Sequence, residues 1–185
     1  MSKGRETRQR MIGVAADAVE EKGLAGTGIN EVLRRSGAPR GSLYFHFPGG
    51  KDELVEAAVR FGAGRVEELM GRAAAEGGSA ADVIERVIRG LADRQEAAHY
   101  TKGCPVAAVA VEAPPESDLA AACAEIYAAW EGVIADLVRA EGRPAELAGQ
   151  IFALIEGALL LSRVRRSRLP LESAARAVRT LLEHP

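Results

Sequence analysis

This chain is predicted to be all-α, with an N-terminal three-helix helix-turn-helix followed by a larger helical domain. Three observations carry that expectation. Apolar residues recur at helical spacing through most of the 185 residues. Val and Ile rarely alternate with polar residues over four or more positions, as strands require. Prolines are sparse and gather at apparent joints.

The first helix is expected over Glu6 to Lys22, where Met11, Val14, Ala15, Ala18 and Val19 form one apolar face and Gly23 supplies a stop. Thr27 is suited to cap a short second helix whose buried side is Ile29, Val32 and Leu33 and whose end is Ser36-Gly37. Pro39 is tolerated in the first turn of a third helix, which Arg40 to Phe45 extends for little more than a turn and a half before Pro48-Gly49-Gly50 breaks it. A fourth helix starts near Lys51, with Asp52 and Glu53 at the positive end of its dipole and Leu54, Ala58 and Phe61 facing inward, and runs to about Ala75. Beyond Gly77-Gly78 the pattern predicts helices over Ser79 to Ala98, Val106 to Glu112, Ser117 to Ala140, Ala145 to Arg163 and Leu171 to Glu183. The expected organisation is residues 1–50 as the helix-turn-helix domain, 51–75 as a connecting helix and 76–185 as the second domain.

Hydrophobic residues make up 48% and charged residues 27%, the balance of a soluble globular chain. Net charge is −2, but it is unevenly spread. Up to Lys51 nine Lys and Arg face five Asp and Glu, so the head is basic and the remainder acidic. The longest apolar run, Ile151 to Leu161, is broken by Glu156 and falls short of the roughly 20 residues of a spanning helix, so a core helix and no membrane partner are expected. Cys104 and Cys123 are too few for a disulfide framework, and no basic-then-apolar leader opens the chain. The expected location is the cytoplasm.

Two short helices joined by a tight Gly-containing turn, behind a longer supporting helix and among basic residues, fit a DNA-reading helix-turn-helix. The major groove, about 12 Å wide, admits one helix whose leading residues meet base edges. Pro39-Arg40-Gly41-Ser42-Leu43-Tyr44-Phe45-His46 is the candidate reader. Arg40 offers the fork that pairs with guanine O6 and N7, Gly41 permits close backbone approach, and Ser42, Tyr44 and His46 can donate to phosphates. Leu43 and Phe47 are expected beneath the helix. Arg5 and Arg8 either contact a neighbouring groove or form a solvated basic terminus.

The run from Gly37 to Leu54, GAPRGSLYFHFPGGKDEL, resembles the DNA-binding signature of the TetR family. Ala38 and Pro39 depart from its usual Val and Ser, and Pro48-Gly49-Gly50 makes the following loop one residue longer than usual. That longer loop, together with Gly103-Cys104-Pro105, resembles the LmrA-like subgroup. The resemblance implies that Thr27 caps the second helix at a phosphate, that Pro39, Arg40 and Gly41 face bases, that Tyr44 and His46 hold the backbone, and that Lys51 grips a phosphate. A helix N-terminus after Gly49-Gly50 suits an anion independently of the resemblance.

The resemblance further implies a C-terminal domain that dimerises through its last two helices and encloses a small-molecule pocket. The function it implies is a regulator, most often a repressor, released from a palindromic double-stranded DNA operator by a small-molecule effector. Two apolar faces suit such a homodimer, Leu147, Ile151, Leu154, Ile155, Ala158 and Leu159 on one helix, and Leu171, Ala174, Ala175, Val178, Leu181 and Leu182 on the next. Packing within one protomer would bury them equally well. Phe61, Tyr100, Cys104, Tyr127, Trp130 and Phe152 are the pocket candidates, because aromatic bodies with polar tips line small-molecule sites, though each also suits ordinary core. The basic cluster Arg163 to Arg168 sits at a helix C-terminus, where cations favour the dipole, and is not read as a DNA site.

Enzymatic chemistry finds no support. His46, His99 and His184 lack ligand spacing, Gly62-Ala63-Gly64 lacks a dinucleotide loop's strand and third glycine, and Glu112 and Glu116 flank a proline turn rather than form a catalytic pair. No catalytic residue, metal or cofactor is expected. Cys104 and Cys123 suit either oxidant sensing or plain burial. A helical partner-binding protein without DNA affinity would keep the apolar faces but has no use for Arg40, Tyr44 and Lys51 together.

Overall fold

The computed structural model describes residues 3–183, so His184 lies outside the described residues. Among the described residues the elements are helices: α1 (Lys3–Gly26), α2 (Ile29–Ser36), α3 (Ser42–His46), α4 (Lys51–Ala75), α5 (Ala80–Ala97), α6 (Ala107–Ala110), α7 (Asp118–Ala140), α8 (Leu147–Arg165) and α9 (Leu169–Glu183). They pack as two units. One comprises the chain up to Gly64 together with Pro105–Ile126, and the other Arg65–Cys104 with the chain from Tyr127. The packing therefore does not follow the chain in order, since α6 and the start of α7 return to the N-terminal unit.

The core of the N-terminal unit is built by α1, α2, α3 and the first turns of α4. Met11, Ile12, Ala15 and Ala16 meet Val32 and Leu33, and Leu43, Phe47, Leu54 and Ala58 close the cluster. Burial of these side chains, at about 25 cal/mol per Å² of apolar surface, is what holds helices as short as α2 and α3 in place. The stop expected at Gly23 occurs as a break inside α1, with φ 75° and ψ −173°. Only glycine suits the site, because the backbone is left-handed and an added Cβ would collide with the Glu112 carboxylate. That carboxylate accepts the Ala25 N–H at 2.7 Å and so ties the residues after α6 to the end of α1.

Thr27 does not cap α2. The break carries the Gly23 carbonyl out of the helical ladder, and the buried Thr27 hydroxyl donates to it at 2.7 Å, leaving Gly28 as the capping residue with no side-chain bond. The third helix is also shifted from its expected span. Ser42 N–H bonds to the Pro39 carbonyl at 2.9 Å, so Pro39, Arg40 and Gly41 form a turn before the helix.

In the C-terminal unit α5, α8 and α9 pack on one another. Ser79 and Asp82 form a capping box at the start of α5. Arg179 on α9 then reaches Asp82 at 2.9 Å and also bonds Glu85 and Glu183. The Arg179 guanidinium, with help from Ser79, holds the Asp82 carboxyl at a pKa of about 2. Gln95 on α5 donates to the Leu159 carbonyl of α8 at 3.0 Å, and Arg143 donates to the Leu181 carbonyl of α9 at 2.8 Å.

The two faces expected to form a dimer bundle are largely closed within the protomer: Ile151, Ile155, Ala158 and Leu159 on α8, and Leu171, Ala174, Val178 and Leu182 on α9, are buried. The reason is that α8 and α9 pack on each other and on α5. Apolar surface left exposed comprises Leu160, Leu161 and Val164 of α8 and Leu169 of α9. By length and composition alone α8 is apolar enough to cross a membrane, although the ionisable Glu156 interrupts it and one side is buried in the unit.

Candidate nucleic-acid interface

The turn between α2 and α3 is determined by backbone geometry. Gly37 ends α2 in the left-handed region, φ 65° and ψ 21°, its N–H bonding to the Arg34 carbonyl, while the Ala38 N–H reaches the Leu33 carbonyl at 3.0 Å. Arg10 of α1 donates to the Ser36 carbonyl at 3.1 Å and so fastens the last turn of α2 to the supporting helix. On the other side Glu31 takes Lys22 at 2.8 Å and Arg35 at 3.5 Å. The Lys22 ammonium beside it lowers the Glu31 carboxyl's pKa.

From this frame α3 presents two contrasting sides. Leu43 and Phe47 point into the core, as expected, Phe47 with no exposed surface. Tyr44 and Phe45 stand out in solvent at 71% and 78% exposure, beside exposed Pro39, Arg40 and Gly41. Ser42 and His46 are half-buried, and the His46 ring meets the Phe45 ring edge-on at 4.8 Å. Phe45 was not among the expected contact residues. Its helical position, one turn after Gly41, places it on the same face.

Lys51 opens α4 and donates to the Leu24 carbonyl at 2.8 Å. An ammonium carries three donors, so this bond orients Lys51 while leaving capacity for an anion. Glu53 accepts the Gly49 N–H at 2.8 Å, which stiffens the loop leading into α4. Arg8 lies over the Phe47 ring, 4.8 Å from its centroid, and remains exposed.

Comparison with known proteins agrees with this geometry along the whole chain. Residues 12–58 match the family described as bacterial regulatory proteins of the tetR family, and residues 80–177 match the C-terminal domain described as transcriptional regulator LmrA/YxaF-like. An HTH-type transcriptional regulator of Mycobacterium tuberculosis is 36% identical, over 95% of this chain and 93% of its own. The chain belongs to the TetR family. The HTH-type transcriptional regulator LmrA of Bacillus subtilis is 31% identical over 96% of this chain and 97% of its own. A crystal structure of a TetR transcriptional regulator from Chloroflexus aurantiacus superposes with a TM-score of 0.83 at 30% identity, covering 100% of this chain and 98% of that one. The protein is thus a DNA-binding transcriptional regulator of the TetR type, not an enzyme, and its C-terminal domain is of the LmrA/YxaF-like kind.

In this TetR-family chain the residues expected to form a pocket divide. Tyr127, Trp130 and Phe152 do converge, with ring centroids 5.0 Å apart for Tyr127 and Phe152, 5.9 Å for Tyr127 and Trp130, and 6.5 Å for Trp130 and Phe152. Cys104 joins them, its sulfur 3.8 Å from the Tyr127 hydroxyl. Phe61 instead packs against the helix-turn-helix core, and Tyr100 lies on the turn after α5 with a left-handed φ of 58°. Sequence reasoning missed Glu156, which accepts the Tyr127 hydroxyl at 3.3 Å. Burial raises the Glu156 carboxyl's pKa, and the same burial together with that neighbouring acid raises the Tyr127 phenol's. Neither Cys104 nor Cys123 forms a disulfide, and burial raises the Cys123 thiol's pKa, which disfavours the reactive thiolate. Among the described residues no group of three or more His, Cys, Asp or Glu is placed to hold a metal ion.

Proposed function

We propose that this protein is a ligand-responsive homodimeric repressor, released from a palindromic operator when a small molecule occupies its C-terminal domain. The observation that carries the reading is α3, whose buried Leu43 and Phe47 anchor a solvent-facing set of Pro39, Arg40, Gly41, Tyr44 and Phe45 beside Lys51. In this reading residues 1–50 form the DNA-binding domain, 51–75 the connecting helix and 76–185 the effector-binding and dimerisation domain. Pro39, Arg40 and Gly41 face base edges, while Ser42, Tyr44, His46 and Lys51 hold phosphates. Thr27, buried on the Gly23 carbonyl, serves by shaping the entry to α2.

Dimerisation is assigned to the exposed apolar residues of the last two helices, Leu160, Leu161, Val164 and Leu169, whose cover by a second copy also accounts for the apolar character of α8 without a membrane. The site of action is the cytoplasm, where DNA and small metabolites are both at hand. Two recognition helices of a dimer meet successive major grooves about 34 to 36 Å apart, so the operator is palindromic. A ligand releases DNA only by binding one spacing of the two heads better than the other, and α4, which carries Lys51 in its first turn, is the proposed lever.

Selection of binding sites from random duplex DNA, at a stated salt concentration, tests the reading. Enrichment of a palindrome with half-sites one helical turn apart is expected. A folded, dimeric protein that enriches nothing would contradict it and favour a partner-binding protein.

A further inference from the structure

The side-chain cluster of the C-terminal unit narrows the chemistry of the effector. This step rests on the ligand-responsive reading. Glu156 sits in the middle of the apolar α8, half-buried, and its hydrogen-bonding neighbours are the Tyr127 phenol and the Cys104 thiol, neither of them a cation. A carboxylate taken out of water is stable only when paired or generously hydrogen-bonded, so an acid in such a place either stays neutral or waits for a positive partner. The Tyr127 ring that bonds it is packed with the rings of Trp130 and Phe152, and such π faces attract cations.

Two further atoms point to an occupant. Trp130 is only 4% exposed, yet its indole N–H has no hydrogen-bond partner, and the Oε1 of buried Gln95 also lacks one. Buried polar atoms are rarely left so, because each costs the desolvation of a group that water would otherwise satisfy. Gln95 donates to the Leu159 carbonyl, one turn along α8 from Glu156. Tyr127, Phe152 and Glu156 are each only half-buried, so the cluster has a side open to solvent.

We propose that Tyr127, Trp130, Phe152 and Glu156 bind an organic monocation, a quaternary or protonated amine on an apolar body that also carries a hydrogen-bond acceptor. The cation sits against the rings and returns Glu156 to its carboxylate form. The acceptor takes the Trp130 N–H.

Trp130 is the single tryptophan of the sequence, so its fluorescence reports this cluster alone. The test titrates the full-length protein with benzoylcholine and, in parallel, with its uncharged carbon isostere 3,3-dimethylbutyl benzoate. Saturable change of Trp130 emission with benzoylcholine is expected, with the isostere binding about tenfold more weakly, the loss of one cation–π and charge contact. In Glu156→Gln, with helicity and melting temperature verified, the preference for benzoylcholine should shrink to the smaller share that the rings alone supply. Equal binding of both probes to the wild-type protein overturns the cation, and a preference undiminished in Glu156→Gln overturns the carboxyl as its recogniser. No change in Trp130 emission with either probe overturns the site. Operator binding measured on the same preparations separates the readings: retained DNA binding with a silent Trp130 removes only this inference, whereas absent DNA binding removes the regulator reading.

Discussion

The two packing units are both helical, but they use their sequences differently. In the N-terminal unit nearly every residue from Gly37 to Leu54 has one identifiable duty: Gly37 turns the chain, Leu43 and Phe47 fill the core, and Tyr44 and Phe45 are held in solvent. In the C-terminal unit the packing is spread over many apolar residues of long helices, and specific polar contacts, among them the Arg179 ion-pair cluster, the Gln95–Leu159 bond and the Tyr127–Glu156 contact, punctuate it. Short helices leave no redundancy. A five-residue helix such as α3 has almost no intrinsic stability, so each contact that holds it is indispensable.

The largest effect expected from this difference concerns Phe47. Phe47→Ala opens a void under α3 and should cost about 3 to 5 kcal/mol, a large share of the marginal stability of a domain, and abolish operator binding. Phe45→Ala, next but one along the chain and exposed, should leave the melting temperature unchanged. Urea or thermal melts of both variants check the pair, and equal losses in the two would break the contrast between buried and solvent-facing sides of α3.

A smaller effect is expected in the C-terminal unit at acid pH. Asp82 has a folded pKa of about 2, below the ordinary Asp value of 3.8, because Arg179 and Ser79 favour its ionised form. A depressed carboxyl contributes stability that is present above its unfolded value and lost as pH falls through the folded one. The loss therefore falls between about pH 4 and pH 2, and Asp82→Asn should be less stable than wild type at neutral pH and equal to it at the bottom of that window. A difference that persists unchanged at pH 2 would remove the ion pair as its source.

Glu156 has the opposite sign. Its raised pKa means that the folded state holds a proton which the unfolded chain releases above about pH 4.5. Stability is then full below that value and declines as pH rises towards the folded pKa, with Tyr127 and Cys104 as the groups facing it. Glu156→Gln, which keeps the shape without the proton, should melt at or slightly above wild type at pH 7 and match it near pH 4. Thermal melts across that range measure it. A variant less stable than wild type at every pH would mean that the ionised form is the one the fold prefers.

How much of this was legible in the sequence follows the same division. The helix order and the buried roles of Leu43 and Phe47 could be read directly, because helical spacing and Gly or Pro punctuation act over a few residues. The capping role expected for Thr27 failed for a local reason: Gly23, four residues earlier, frees a carbonyl that competes for the hydroxyl. Pro39 and Arg40 lie in a turn because the Ser42 N–H closes onto the Pro39 carbonyl, an outcome that spacing alone does not distinguish from a helical first turn. The α8 and α9 faces could not be assigned between a dimer and the protomer's own core, because an apolar stripe does not say which neighbour covers it; most of those residues are buried within the protomer. Phe61 and Trp130 look equivalent as aromatic residues, yet one packs on the helix-turn-helix core and the other joins the ring cluster. Glu156 left a signal that went unused, a lone carboxyl within an apolar run and one helical turn from Phe152.

The central claim is that the exposed face of α3 reads DNA, and it is tested most directly by repeating the binding-site selection with Arg40→Ala beside Lys51→Ala. The account expects Arg40→Ala to enrich the same palindrome with preference relaxed at one position in each half-site. Lys51→Ala should keep every preference, bind all DNA more weakly and lower the salt slope by about one. Unaltered selection and affinity in both variants would contradict it, since neither side chain would then lie at the interface.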